Sequence, residues 1–437
     1  MAIKKRPGGL KKATAEKNTE TPKSGERLNT ATKTNETQDS LDSETITVAL
    51  SVSNNSNVNG DHDDENDESE AKQIQQTQEM LAMALAKLAE ANEVNETESI
   101  DATDEAAALL RGVVHESDRI LRVHFAQQEN SNSNDNGSSN NFLPPAFHLA
   151  YGEALLRLAL LMDTDSDAET EAENGPIAFL DAAVSRFETG LEVANASKDI
   201  WMLNEAIARA LIHKANILIV QDPTVPSSII DPIISSAHTH ISAILKTLGN
   251  SDLNQSLESI LLLVKHADIR QQVHPEAAKR CVNIARLDIV ALLKFNDLHV
   301  PSLIALAQTY MTAANDLLDA AESTGNLDDM DEDDSKNEKI DFKVVSKLLE
   351  EALKYTTKAQ IASGSTYESG KNVTLQLLLG EIYVNKANLL DENENEDEAN
   401  KFYKLAVSCF KAVETVDAAA LPDAFDSFLR DWESEIQ

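Results

Sequence analysis

Two cysteines, Cys281 and Cys409, stand far apart in a chain of 437 residues. That excludes a disulfide framework and a zinc site built on cysteine pairs, and it reads as an intracellular, reduced protein. Aromatic residues make up only 4% of the chain, and proline and glycine are sparse from position 73 onward. Sheets draw on aromatic and β-branched residues, so an apolar 42% dominated by Ala and Leu favours helices instead. No apolar run approaches the roughly 18 residues of a membrane span, and the basic, polar N-terminus has no signal-peptide core. The expectation is a soluble protein with no membrane partner. Positive charge is scarce as well: 38 Lys and Arg face 74 Asp and Glu, a formal net charge of −36. Phosphate backbones are held by Lys and Arg, so this balance argues against direct nucleic-acid binding and favours basic proteins as partners. Acidity that serves solubility alone would leave the same signature.

What is present falls into segments. Residues 1–72 mix Lys, Thr, Asn, Ser, Asp and Glu and end in the acidic run DHDDENDESE, the composition of a disordered tail. Its basic start, MAIKKRPGGLKK, places Lys4, Lys5, Arg6, Lys11 and Lys12 close together, a candidate nuclear localisation signal. An Ala/Leu/Met-rich helix is expected from Gln73 to Ala91. A second follows through RGVVHESDRILR (111–122), in which Val113, Val114, Ser117, Ile120 and Leu121 recur at helical spacing, a stripe running from Leu109 and Leu110 to Phe125. His115, Asp118, Arg119 and Arg122 then share the opposite face, where Asp118–Arg122 and Glu116–Arg119 pairs each contribute about 0.2–0.5 kcal/mol. After the low-complexity loop NSNSNDNGSSNN (130–141), the proline-bearing stretch VQDPTVPSSIIDP (220–232) is read as a linker. It would separate a helical subdomain at 73–220 from a helical-repeat subdomain at 221–437.

A faint internal repeat points to an all-α solenoid of helical hairpins. LLLGEIYV holds Leu379, Gly380 and Tyr383 in the relation found in the first helix of a tetratricopeptide repeat, and Ala399, Tyr403 and Ala406 suit its second helix. Weaker echoes are Gly152 with Ala183, Phe187 and Gly190, and Ala307 and Tyr310 with Ala352 and Ala359. HEAT-type hairpins fit the pattern equally. The copies are interrupted by DTDSDAETEAE (163–173), LDDMDEDD (327–334) and DENENEDE (391–398), so acidic insertions recur at one kind of hairpin tip. Stacked hairpins would bring such tips to one edge. Asp328, Asp329, Asp331, Glu332, Asp333 and Asp334 are therefore a candidate acidic loop for a basic partner, and tolerated solubilising loops would look the same.

Tests for catalytic and ligand-binding patterns fail one after another. The helix His115-Glu116 resembles the start of a zinc-protease motif, but Arg119 occupies the second ligand position, and a cation there repels a metal. GSTYESGKN (364–372) has one residue too many between Gly364 and Gly370 for a phosphate loop, and Asn372 replaces the required hydroxyl, so it reads as an inter-helix turn. DTDSDAETEAEN places Ala168 where a calcium loop needs Gly and Asn174 where it needs Glu. His238 and His240 diverge on a helix, and His266 and His274 stand alone. No catalytic residue, metal or cofactor is predicted, and the chain is read as a non-enzyme.

RGVVHESDRILR, FHLAYGEALLRLALL (147–161), RFETGLEVA (186–194) and the N-terminal KKRPGGL together resemble the fungal enhancer of translation termination family, which includes a negative regulator of a 2-oxoglutarate-dependent prolyl hydroxylase. The resemblance runs in local blocks from about Gln73 to the C-terminus, most densely between Ala107 and Ala194. It implies an all-helical, HEAT- or tetratricopeptide-like nuclear protein without enzymatic activity. It further implies binding of the dioxygenase, whose substrate is a small-subunit ribosomal protein, and a role in stop-codon fidelity and in hypoxic or sterol-linked gene expression. A competing expectation is an acidic chaperone or nuclear-import adaptor that shields a basic ribosomal protein and meets an importin.

The face assignment of residues 111–122 is testable. Leu121→Asp places a charge on an apolar face and is expected to destabilise the protein by about 3 kcal/mol or more, whereas His115→Ala should stay within about 0.5 kcal/mol. Thermal melts that fall equally for both variants would reverse the assignment.

Overall fold

In the computed structural model the described residues are 64–91, 96–131, 142–162, 175–247, 253–325, 342–364, 372–391 and 395–436. They form thirteen α-helices and one short 3-10 turn, with no strand among them. The first two helices are α1 (Asp64–Ala91) and α2 (Glu96–Ser131). Helix α1 starts nine residues before the expected Gln73, so the end of the acidic run lies within a helix; acidic residues suit a helix N-terminus, where the macrodipole is positive. Five hairpins follow. Helices α3 (Pro145–Leu161) and α4 (Pro176–Val193) form the first, α5 (Ser197–Gln221) and α6 (Ser227–Thr247) the second, α7 (Leu253–Gln271) and α8 (Pro275–Leu292) the third. Helices α9 (Val300–Gly325) and α10 (Phe342–Ala362) make the fourth, α11 (Val373–Asp391) and α12 (Glu396–Val416) the fifth. Each hairpin then packs on the next through both of its helices, α3 and α4 on α5, α5 and α6 on α7, α7 and α8 on α9, and α9 and α10 on α11. This is the stacking of an α-solenoid. The described residues of 70–421 form one compact unit; α13 (Asp423–Ile436) belongs to another.

The local signals for these elements are ordinary ones. Pro145, Pro176 and Pro275 open α3, α4 and α8, where the missing N–H costs nothing. Segment 222–226 is a tight turn in which the Asp222 carboxylate accepts from the Thr224 backbone N–H at 2.9 Å and its hydroxyl at 2.6 Å. The expected inter-helix turn at 364–372 lies between α10 and α11: Gly364 takes a φ of 92°, and the Asn372 side chain caps α11 by accepting from the Leu375 N–H at 3.0 Å. The insertion at 391–398 is only partly a loop. Glu396, Asp397 and Glu398 form the first turn of α12, again the end where acids are favoured.

The core passes from hairpin to hairpin without a break. Ile120, Leu121, Phe147, Leu155, Phe187 and Ile207 join α2 to α5, and Ile212, Ile230, Leu263, Ile289 and Leu306 carry the next layer to α9. Met311, Val345, Leu349 and Ile382 continue it to α11. Leu211 packs against the first two layers and Tyr355 against the last two, so neither layer boundary is a gap. The close approaches depend on two glycines. A Cβ at Gly152 would overlap the ring of Phe187, and one at Gly380 would overlap the ring of Phe410. The first pair is among those expected from the repeat. At Gly380 the facing residue is Phe410 rather than Ala399, Tyr403 or Ala406; Tyr403 instead donates its hydroxyl to Asn388 Oδ1 at 2.7 Å.

Gly380→Ala is therefore expected to destabilise the chain by about 1–3 kcal/mol through overpacking. Adding Phe410→Leu should cost less than the two single changes summed, because the second change makes room for the first. Additive melts would show that the glycine is not held by the ring.

Candidate partner-binding site

The residues singled out from sequence divide sharply. Lys4, Lys5, Arg6, Lys11 and Lys12, and likewise Asp328, Asp329, Asp331, Glu332, Asp333 and Asp334, lie outside the described residues. The stretch 111–122 is fully described and behaves as an amphipathic helix. Val113, Ser117, Ile120 and Leu121 are buried, while Arg111, His115, Asp118 and Arg122 are exposed. Two details differ from expectation. Phe125 is 54% exposed, so the buried stripe stops short of it. Glu116 pairs with Arg119 at 2.5 Å as expected, but the Asp118 carboxylate is not held by Arg122, whose Nε donates to the Asp118 backbone carbonyl at 3.3 Å. Asp118 instead accepts from the Tyr151 hydroxyl on α3 at 2.5 Å. Burial first, and that bond second, push the Tyr151 phenol up, so it serves as a donor; Arg186 lies 5.4 Å from the ring centre.

Beside this contact a cleft of about 490 Å³ opens between α2, α3 and the start of α4. Val114, Leu158, Leu161 and Phe179 give it apolar walls, and Asp104, Arg111, His115 and Asp118 line it from the exposed side of α2. The size is that of a site for a small molecule or a few side chains. Sequence reasoning placed His115 and Asp118 on the exposed face of α2 and Val114 on its apolar stripe, but not the cleft itself, because Leu158, Leu161 and Phe179 come from 44 to 65 positions beyond Val114.

A second group of charges is turned inward. Glu153 on α3 accepts from Arg157 Nε at 2.8 Å and from Arg209 Nη2 on α5 at 2.9 Å; Arg209 Nε lies 2.7 Å from Glu205, which also accepts from Ser259 on α7 at 3.1 Å. Burial opposes the charge on Glu153, yet the two arginines outweigh it and hold its carboxyl below the usual range. Glu205 is pushed up, because burial and the neighbouring Glu153 exceed what a shared Arg209 returns. Further along, Asn315 on α9 donates to Glu381 on α11 at 3.0 Å and accepts from Asn385 at 2.9 Å. His238 and His240 turn to different helices, and His266, which stands alone in the sequence, has a partner on another helix. His238 lies 3.3 Å from Asp288, His240 2.8 Å from Asn204, and buried His266 2.6 Å from Asn216. Each ties one helix to another. No three His, Cys, Asp or Glu converge as metal ligands among the described residues, and none of the described helices is long and apolar enough to cross a membrane.

Burial, then the nearby arginines, lower His148, His213 and His266 to about 4 each. An unfolded histidine titrates near 6.5, so between these values the unfolded chain takes up protons that the fold refuses. Stability should therefore fall as the pH drops from about 6.5 toward about 4. Glu205, Glu381, Asp268 and Asp316, raised by burial, act in the opposite sense. Urea melts between pH 7 and pH 5 isolate the histidine part: His213→Gln should flatten the dependence. An unchanged slope would show that His213 is not buried neutral.

Comparison with known proteins gives a consistent answer. Residues 49–232 match a family model described as nuclear pore complex subunit Nro1. The chain is 30% identical over 119 residues to the negative regulator of ofd1 from Schizosaccharomyces pombe, covering 27% of this chain and 26% of that protein. It is 30% identical over 130 residues to enhancer of translation termination 1 from Debaryomyces hansenii, covering 29% of this chain and 27% of that protein. The matched stretches thus span about a quarter of these relatives' length. In fold, the S. pombe nuclear import adaptor Nro1 aligns with a TM-score of 0.51 at 20% identity, over 83% of this chain and 99% of that one. A second structure, of the hypoxic regulator of sterol synthesis Nro1, described as a nuclear import adaptor, aligns with a TM-score of 0.50 at 20% identity, over 84% of this chain and 99% of that one. These descriptions are of nuclear proteins, in accord with the nuclear location expected, and they name regulators and adaptors. In sequence over its N-terminal part and in fold along most of its length, the chain resembles the Nro1 and enhancer of translation termination family.

Proposed function

We propose that this chain is a nuclear, non-enzymatic helical scaffold that binds a prolyl hydroxylase-type dioxygenase and, through it, modulates translation termination and hypoxic or sterol-linked gene expression. The observation that carries the reading is the fold likeness to a solved import adaptor over 83% of the chain, together with curated relatives named for ofd1 regulation and for translation termination. The geometry supports it. Inward-facing charges bond across helices, Glu153 to Arg209 and Glu205 to Ser259, so they hold hairpins together rather than surround a substrate. A second reading is an import adaptor or acidic chaperone for a basic ribosomal protein, favoured by the net charge of −36. In it, Lys4, Lys5, Arg6, Lys11 and Lys12 engage an importin and the acidic loop at 328–334 engages the cargo.

Affinity purification of the native chain followed by mass spectrometry separates the readings. Recovery of a 2-oxoglutarate-dependent dioxygenase is expected for the first, and basic ribosomal proteins or importins without it for the second. In either case neutralising Asp328, Asp329, Asp331, Glu332, Asp333 and Asp334 should slow association with a basic partner at low salt. The difference should vanish near 1 M salt, where the screening length is about 3 Å. A preparation free of all three partner classes would refute both readings.

A further inference from the structure

The cleft beside α2 has a charge order that selects its occupant. Asp104 and Asp118 lie fourteen positions apart on one face of the helix, which places them about 21 Å apart at 1.5 Å per residue. An extended peptide covers that distance in about six or seven residues. Between the two acids, Arg111 and His115 line the same face, and neither these two side chains nor that of Asp104 is bonded to another described residue. Below them the walls are apolar, with Leu158, Leu161 and Phe179 facing Val114. Asp118 is fixed in place by the Tyr151 hydroxyl, so one end of the row is preorganised.

We infer that this cleft docks an extended segment of a partner protein that carries Lys or Arg at both ends and bulky apolar side chains, without positive charge, between them. The two acids take the cations, the walls take the apolar side chains, and Arg111 meets backbone carbonyls while repelling a central cation. The surrounding charge, −36 over the chain, draws such a segment in and disfavours an acidic one. This goes beyond the scaffold reading and does not rest on it, since purified chain and synthetic peptide suffice for the test.

The probe is a fluorescein-labelled heptapeptide, Lys-Ala-Leu-Ala-Phe-Ala-Lys, titrated with the full chain and read by anisotropy. A counterpart with glutamate at both ends should bind about tenfold or more weakly, and an all-lysine version should also lose affinity. Asp104→Asn, an exposed change that leaves the fold intact, should weaken the first peptide about three- to tenfold and reduce its salt dependence. Arg111→Ala should narrow the gap between the first peptide and the all-lysine one. Equal affinity for the lysine- and glutamate-ended peptides, or no effect of Asp104→Asn, would overturn the inference. So would tighter binding on replacing Lys4, Lys5, Arg6, Lys11 and Lys12 with Ala, which would show the chain's own N-terminus to be the occupant.

Discussion

Arg209 on α5 reaches back to Glu153 on α3 and along its own helix to Glu205, and the rest of the stack inherits its register from that contact. Apolar burial would hold these hairpins together in several sliding arrangements, because Ala- and Leu-rich faces are nearly uniform along a helix. A buried ion pair is different. It adds little net stability when formed, but a slip of one turn would strand a charge at a cost of several kcal/mol. Two arginines serve Glu153, and Ser259 carries the chain of bonds from Glu205 onto α7. Three successive first helices are thereby set against one another by bonds that admit one alignment.

The same logic recurs downstream. Asn315 bonds both Glu381 and Asn385 across α9 and α11, and the guanidinium of Arg286 on α8 sits 4.3 Å from the Tyr310 ring centre while bonding the Thr309 carbonyl at 2.8 Å. Burial raises the Glu381 carboxyl, and its partner Asn315 is uncharged, so the tie there is a hydrogen bond and not an ion pair. Glycine at 152 and 380 then lets an aromatic ring from the second helix of a hairpin press against the backbone of the first. Polar ties fix register between hairpins; small residues fix distance within them.

How much of this the sequence discloses depends on distance along the chain. The face of α2 was readable because Val113, Ser117, Ile120 and Leu121 repeat at three- and four-residue intervals, a signal confined to one helix. Phe125 belongs to the same periodicity yet lies in solvent, since periodicity cannot tell how far a partner helix extends. Glu116–Arg119 was legible for the same local reason, whereas the Tyr151 partner of Asp118 is 33 residues away and Arg209 is 56 from Glu153. Nothing in either neighbourhood marks such a pairing. Helix α1 began earlier than composition suggested because acidic residues discourage a helix interior but suit its first turns.

Charge in this chain is consequently of two kinds. Within the stack, acids such as Glu153 and Glu205 face the Arg209 guanidinium, so their contribution to the field outside is reduced. The acids of 163–173 and 327–334 lie in the sequence between the two helices of the first and fourth hairpins, and those of 391–398 extend into the first turn of α12; none of these three runs contains a Lys or Arg. The solenoid can therefore keep its register while the acidity of its connections changes, and a partner attracted by that acidity need not disturb a single bond that holds the helices together. Such a separation suits a scaffold: recognition can be tuned in the connections and along α2 while Arg209 and its partners keep the frame fixed.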